Sequence, residues 1–585
     1  MSTLDSPATR DASPLVHSRW VLRSAPKPGT VDQLAAESAL PSLLARILAA
    51  RGFGDPSRIG AFLNPRLADA THDPFIMKGV VPAVERIRCA IDAEDPICIF
   101  GDYDVDGVTA TALLTIVLRA LGATVDYYIP HRLDEGYGVS LPAIDLLADQ
   151  GFRLIVTVDC GITSVEEVER ARARGLDVIV TDHHEPGPER PEAVAVIDPK
   201  QPDCPYPCKD LAGVGVAFKL AHALLKRLHP DPTTAHALLK SLIDLVALGT
   251  VADIVPLLGE NRALVNHGLD LLRRPARQGL IQLFDATGLA PARLTTGSIG
   301  FVLGPRLNAA GRTEHAMFGV ELLLAEDRRE ARDHARKLNE FNNKRRDIEQ
   351  RVLAEAVELA QRHTGDRVVV ISQQDWHPGV LGIVASRIQS ILHRPILVLS
   401  ESAGLARGSG RSIPGFDLHA ALTACAELLD HYGGHKMAAG LALPADRVDA
   451  FRDAINRYAR ATLDEDLLRP LIEIDAVAVP GDLTFEGVAA LDRLEPFGMD
   501  NPRPVVQLEG YTVVAEPRVL KDRHLKLRLA GPAGEPLTAL GWGMAARIEE
   551  LDALELPLQL AGTPFINHFN GRTHIEFELK DFRPT

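Results

Sequence analysis

Six cysteines in 585 residues are too few to staple a chain of this length, and a disulfide framework is excluded. Cys89, Cys98, Cys160 and Cys425 stand in apolar or helical surroundings and read as small core residues. Cys204 and Cys208 form the segment CPYPC, but no second Cys/His pair stands near it to close a zinc site. This cysteine usage fits a reducing cytoplasm. No run of about twenty uncharged apolar residues occurs, so no membrane span is expected. The start, MSTLDSPATRDASPLVHSRW, is polar and acid-bearing and lacks the apolar core of a secretion signal. Its first dozen residues are expected to be disordered. Aromatic side chains make up only 5% of the chain, which leaves few stacking platforms. A basic excess is also missing, with a formal net charge of −15. That balance argues against a nucleic-acid partner. It does not exclude one, because phosphate binding needs a local cationic surface rather than a basic total.

What is present is an ordinary globular composition, 46% hydrophobic and 24% charged, over a length that implies three or four domains. Residues 1–85 read as a small N-terminal region with the helical stretch LPSLLARILAARG. From about Arg86, short β-rich apolar runs alternate with helical patterns. They include Ile97–Phe100, Thr124–Pro130, Leu154–Val158, Leu176–Val180 and Ala193–Ile197. This alternation implies a parallel sheet with both faces covered. Residues 326–364 are rich in charge and contain no proline, and read as one long, mostly exposed connecting helix. A second α/β pattern occupies 365–465. Evenly spaced short strands over 466–585 suggest a small β-barrel. The fold class is therefore α/β, with a parallel-sheet domain, a long helix, a second α/β domain and a C-terminal barrel.

The densest chemistry lies in GDYDVDG, where Asp102, Asp104 and Asp106 crowd one strand-to-helix turn. Three carboxylates straight after a buried strand repel one another unless a cation compensates. Two more strands end in the same manner. LIVTVDCG puts Asp159 just past one, and VIVTDHHEP puts Asp182, His183 and His184 just past another. ALGTVADIVPL adds Asp253 after an apolar helix. A lone acid after a strand is normally a cap or a turn former. The set, in strand order within one α/β unit, points instead to a ligand site at the carboxyl ends of the strands. Asp with His and without Cys suits Mn²⁺ or Mg²⁺.

These motifs, with GPRLNAAGR, GRSIPGFDLHAAL and GGHKMAAGL in the same order, resemble the DHH phosphoesterase superfamily, and within it the exonucleases specific for single-stranded DNA. The resemblance runs from about Arg86 to the C-terminus. It implies a DHH catalytic domain over 86–325, a connecting helix over 326–364, a DHHA1 domain over 365–465 and an OB-fold domain over 466–585. It also implies two divalent cations, Mn²⁺ or Mg²⁺, with Asp104, Asp106, Asp159, His183 and Asp253 as ligands by motif. Asp102 joins them where smaller relatives carry a His. Asp159 is the choice for the bridging ligand, and His184 for a group that orients a ligand or the leaving group. The family acts from the 5′ end, in DNA repair and recombination.

Candidate substrate contacts are cationic or sit in glycine-rich turns. They are Arg132 in IPHRLDEGYG, then Arg306, Asn308 and Arg312 in a short loop, GPRLNAAGR. Ser409 and Arg411 in GSGRS, and His435 with Lys436 in GGHKMAAG, complete the set. The barrel can extend the track, since OB folds bind single strands by charge and stacking. Single-strand-binding protein and a repair helicase are the partners this implies, for a monomer in the cytoplasm. A competing reading is a DHH-type phosphodiesterase for short oligonucleotides or cyclic dinucleotides, or a pyrophosphatase, for which the first two domains suffice. A third is a non-catalytic scaffold, against which the intact acids and histidines count.

Overall fold

The computed structural model describes residues 18–24, 29–132, 135–136, 138–313, 315–553, 557–569 and 571–585. The segment expected to be disordered lies outside them. The chain divides into two compact units. One is Gly60–Arg345 with Leu494–Pro502; the other comprises the described residues up to Ile59, Arg346–Arg493 and Arg503–Thr585.

The first unit is built on five parallel strands. After β1 (Arg19–Leu22), which belongs to the other unit, these are β2 (Ile97–Gly101), β3 (Val125–Tyr128), β4 (Leu154–Val158), β5 (Asp177–Thr181) and β6 (Ala195–Ile197). Their order is β3-β2-β4-β5-β6. All five residues of β2 and of β4 are buried, as strands covered on both faces require. The chain leaves β2 for β3 on one side and returns to β4 on the other. The carboxyl ends of β2 and β4 therefore form the switch point at which such sheets bind ligands.

Three helices of this unit, α1 (Val105–Ala120), α2 (Gly213–Leu228) and α3 (Ile243–Ala252), carry buried residues along most of their length. Each is a core helix rather than an amphipathic surface one. The apolar stretch Pro232–Ala252 is long and apolar enough to cross a membrane by length and composition. It breaks at Leu242, and its second half is α3, packed in the core. A fourth helix, α4 (Gly304–Thr313), is formed by GPRLNAAGR. A buried ion pair joins Lys219 Nζ to Glu260 at 2.9 Å, and the Tyr206 hydroxyl donates to the same carboxylate at 2.7 Å. Buried Arg262 donates to the carbonyls of Phe62, Leu494, Glu495 and Pro496, which fixes Leu494–Pro502 to this unit.

The long charged segment forms α5 (Arg328–Gln361), 34 residues with no internal break. It is less exposed than its composition suggests, since Asn342, Arg345 and Glu349 are buried. In the second unit, strands β7 (Val369–Gln374), β8 (Ile396–Ser402), β9 (Leu405–Arg411), β10 (His431–Gly434) and β11 (Ala438–Pro444) form a sheet in the order β10-β11-β9-β8-β7. Only β7 and β8 run parallel within it. β1 pairs in parallel with β12 (Leu471–Ile474), which ties the N-terminal region to this unit. The barrel comprises β13 (Ala476–Val477), β14 (Val506–Leu520), β15 (His524–Ala530), β16 (Pro536–Gly541), β17 (Leu558–Phe569) and β18 (Arg572–Pro584). Their order is β13-β14-β15-β16-β18-β17, and β14 also pairs with β17, which closes the ring into an OB-type barrel.

Three expectations need correction. GPRLNAAGR is the helix α4, not a loop; its proline follows closely on a π-helical turn, Ile299–Leu303, that runs into α4 and locally departs from the α-helical hydrogen-bond ladder. GSGRS is the end of the central strand β9, not a turn. Its glycines admit close strand packing, since a Cβ on Gly408 would lie 2.0 Å from the Val398 carbonyl oxygen. Cys89 is exposed, on the outer side of its helix. Cys98, Cys160 and Cys425 are buried as expected.

Candidate metal centre

The turn after β2 is shaped by its own acids. Asp104 caps α1 and accepts from the N–H groups of Asp106, at 2.8 Å, and Gly107, at 3.2 Å, which fixes the helix start. Asp106, in the first turn of α1, faces the first turn of α2. Its two oxygens accept from the N–H groups of Gly213, at 2.6 Å, and Val214, at 2.8 Å. Each carboxylate oxygen retains a lone pair for a cation. Asp159 follows β4 with φ +63°, a left-handed conformation that few non-glycine residues adopt and that clusters at functional sites.

Two glycines make room for this crowding. A Cβ on Gly213 would stand 2.7 Å from Asp159 Oδ1, and one on Gly249 would stand 2.7 Å from Asp106 Oδ1. Neither position carries a side chain that a sequence reading could single out. The DHH triplet is set by its first residue. Asp182 accepts from the N–H of Ile162, His183 and His184 and pairs with His184 Nδ1 at 2.7 Å. It therefore holds the turn and orients His184, a role the motif alone did not assign.

His183 Nε2 points at three carboxylates: Asp159 Oδ1 at 3.1 Å, Asp253 Oδ2 at 3.6 Å and Asp106 Oδ2 at 3.9 Å. Three groups of residues have ligand atoms within 4.8 Å of one another: Asp106, His183 and Asp253; Asp102, Asp104 and Asp159; and Asp159, His183 and His184. All the acids expected to ligate a metal are thus gathered in one place, with Asp159 common to two groups.

The electrostatics call for a cation. Burial, then the charge of Asp104, pushes Asp102 well above the usual carboxylate range and Asp106 up to about 7. Burial and Asp106 push Asp253 up to about 9, and raise Asp159 as well. Burial, with His184 beside it, holds His183 down at about 3. Burial would lower His184 too, but its hydrogen bond to Asp182 outweighs this and raises it. Buried Asp102 Oδ1 and His183 Nε2 have no hydrogen-bond partner within the chain. Oxygen-rich donors with one or two imidazoles, acids that cannot all ionise unaided, and unsatisfied buried donor atoms together fit hard divalent cations.

The expected substrate contacts fall in both units. Arg132 lies over the Tyr103 ring, 4.8 Å from its centroid, and its charge acts on Asp102. Arg312 acts on Tyr103 as well. A Cβ on Gly311 would stand 2.9 Å from the Tyr103 carbonyl oxygen, so α4 lies directly against the acidic turn. Asn308 has a buried Oδ1 with no partner. Arg306 donates to the Val302 carbonyl at 2.7 Å and to Asn339 at 3.0 Å, which anchors α4 to α5. In the other unit, Ser409 and Arg411 alternate on β9. Both face Gly382, where an added Cβ would stand 3.0 Å from Arg411 and 3.5 Å from Ser409. His435 follows β10 in the hairpin to β11, its N–H donating to the Ala438 carbonyl at 2.8 Å. Ala438 in turn pairs with Arg411.

Comparison with known proteins agrees with this architecture. The DHH family N-terminal domain matches residues 96–250, the DHHA1 domain 349–461 and the RecJ OB domain 474–581. The single-stranded-DNA-specific exonuclease RecJ of Bacillus subtilis (strain 168) is 41% identical over 567 residues, covering 96% of this chain and 70% of that protein. The crystal structure of RecJ from Thermus thermophilus in complex with Mn²⁺ superimposes with a TM-score of 0.82 at 32% identity, covering 97% of this chain and 80% of that one. The complex of RecJ from the same organism with Mg²⁺ gives 0.76 at 31% identity over 97% and 78%.

Proposed function

Because the chain belongs to the RecJ family of single-stranded-DNA-specific exonucleases, we propose that it hydrolyses single-stranded DNA at the cluster around Asp159, one nucleotide at a time from the 5′ end. The observation that carries the assignment is the convergence of five acids and His183 within ligating distance at the switch point of the parallel sheet. Two divalent cations, Mn²⁺ or Mg²⁺, supply neutralisation of phosphate charge and a water acidified enough to attack near neutral pH.

The chain's own residues do the positioning. Asp106, His183 and Asp253 would hold one cation and Asp102 and Asp104 the other, with Asp159, common to two of the groups, as the shared ligand. The amides of Gly213 and Val214 favour the ionised form of Asp106, partly offsetting its burial, and aim it inward. Water adds to phosphorus and the bond to the 3′ oxygen of the terminal nucleotide breaks, which leaves a new 5′ phosphate on the shortened strand. His184, kept protonated by Asp182, donates from Nε2 toward that departing oxygen. Arg132, Asn308 and Arg312 contact the phosphates beside the cluster, with Arg306 holding their helix. Ser409, Arg411 and His435 contact the terminal phosphate.

A free 5′ single strand arises by strand separation, so a helicase is the reaction class that supplies the substrate. Single-strand-binding protein is the partner that coats it, within DNA repair and recombination in the cytoplasm. The chain acts as a monomer, with domain limits at 86–325, 326–364, 365–465 and 466–585. The test is digestion of end-labelled DNA with Mn²⁺. Single strands should shorten stepwise, duplex should persist, and EDTA should stop the reaction. Loss of a 3′ label first, or equal cutting of duplex, would refute the assignment.

A further inference from the structure

The backbone leaves the metal centre through a strained residue. Asp253 closes α3, its N–H donating to the Gly249 carbonyl at 2.9 Å, and the next residue, Ile254, takes φ +64°. A β-branched side chain is the least suited to that left-handed backbone, which Gly or Asn would adopt with little strain. Burial does not compensate the isoleucine, since it is 63% exposed. A strained residue that is also solvent-exposed and apolar, one position from a metal ligand, points to a use for its side chain.

Neighbouring segments of the same unit bring further apolar groups to this place. The π-helical turn Ile299–Leu303 runs against the end of α3, so that a Cβ on Gly304 would lie 3.8 Å from Ala252 Cβ. Ile299 and Leu303 are buried, whereas Phe301 between them is 74% exposed, the most exposed large apolar side chain among the described residues. Such π-turns inserted in helices are frequent at functional sites. The Thr296 hydroxyl donates to the Phe497 carbonyl at 2.6 Å, and the Leu257 N–H to the Met499 carbonyl at 3.0 Å. Met499 and Leu258 are exposed as well. Ile254, Leu258, Phe301 and Met499 thus stand in solvent on segments that are tied to one another around Asp253. The cations Arg132 and Arg312 act elsewhere, on Tyr103 in the turn after β2.

An exposed apolar surface beside a metal ligand calls for an apolar occupant. A phosphodiester held at the cluster brings one with it, the base one sugar away. Every base has a π-face that stacks on aromatic side chains, and aliphatic side chains can wedge against it. We propose that Phe301 and Ile254 form a seat for one nucleobase next to the scissile phosphate, which grips a base of any identity while the cations and metals grip the backbone. The inference rests on the nuclease reading and adds base recognition to it.

The test uses the full chain with Mn²⁺ and 5′-phosphorylated oligo-dT in which each of the first three nucleotides in turn is replaced by an abasic one. In wild type kcat/KM should fall about tenfold at one of these positions, as expected for one stacked base, and little at the others. Phe301→Ala should cut the intact strand about tenfold more slowly and no longer distinguish it from the abasic strand at that position. Phe301→Tyr should keep the distinction, because a ring can still stack. Ile254→Asn, which suits the left-handed backbone, should melt no lower than wild type and yet lose about threefold of the distinction. Mn²⁺ occupancy, read by electron paramagnetic resonance, should be unchanged in Phe301→Ala. Equal rates of wild type on all the abasic strands would overturn the seat. So would losses from Phe301→Ala and from the missing base that multiply, since the two would then be independent. Weaker Mn²⁺ binding by Phe301→Ala would also overturn it, and would mean that the π-helical turn serves to hold Asp253. A wild-type protein that fails to degrade the intact single strand would refute the nuclease reading itself, whereas failures confined to the abasic comparisons leave that reading standing.

Discussion

His183 directs its Nε2 at Asp159 Oδ1 from 3.1 Å, although both side chains are buried and no hydrogen bond joins them. His183 is held neutral, and Asp159 sits in a left-handed turn that aims its carboxylate inward. Two donor groups pressed together in this manner suit a shared cation, and relatives of this chain have been solved in complex with Mn²⁺ and with Mg²⁺.

The pH dependence of the metal-free protein follows from the shifted acids. Asp106 moves from 3.8 to about 7 and Asp253 to about 9. A folded-state pKa above the unfolded one contributes stability that is present at low pH and lost as pH rises through the folded value. His183 acts oppositely, but only below its ordinary 6.5. From about pH 6.5 to 9 the melting temperature in EDTA should therefore fall, and Mn²⁺ should offset the fall. Thermal melts across that range, with and without Mn²⁺, check this. A flat EDTA curve would show that the acids are already compensated from within the chain.

Gly213 is a positioning residue that no motif flags. Gly213→Ala places a methyl group 2.7 Å from Asp159. Such overpacking should cost about 1–3 kcal/mol of stability. The Mn²⁺ concentration for half-occupancy, read by electron paramagnetic resonance, should rise about tenfold or more. A variant that melts lower but binds Mn²⁺ as before would mean that the glycine serves packing alone.

The terminal phosphate gives a third expectation. Arg411 lies on a sheet strand with Ser409 on the same face, so its placement is firmer than a loop would allow. A guanidinium fork grips two phosphate oxygens where an ammonium offers a point charge. Arg411→Lys should reduce the kcat/KM preference for 5′-phosphorylated over 5′-hydroxyl DNA about tenfold. The hydroxyl substrate should be cut much as before. Equal slowing on both would make Arg411 a general backbone contact.

The acids were legible because parallel strands deliver their following residues to one edge, so Asp102, Asp159 and His183 converge by topology alone. The parallel sheet, the long helix and the barrel were legible from periodicity. What escaped was chemistry without side chains or with distant partners. Gly213 and Val214 act through backbone amides, and Gly249 acts by having no Cβ. Lys219 is fully buried against Glu260, 41 residues away, a pairing that no local pattern encodes. The glycines of GSGRS and the segment GPRLNAAGR signalled a turn and a loop; tertiary packing used the glycines for close strand contact, and a π-helical turn at Ile299–Leu303 carries the helix on through the proline.

The most direct test of the account measures bound Mn²⁺ and the rate of single-stranded DNA hydrolysis in the same samples, for wild type and for Asp159→Asn. Wild type should bind two ions per chain, and its rate should track occupancy of the second. Asp159→Asn should lose about a thousandfold in rate, several kcal/mol of barrier, together with at least one ion. Its melt without metal should be unchanged or higher, since a like-charge repulsion is gone. Hydrolysis at the wild-type rate in Asp159→Asn, or in wild type freed of metal, would contradict it.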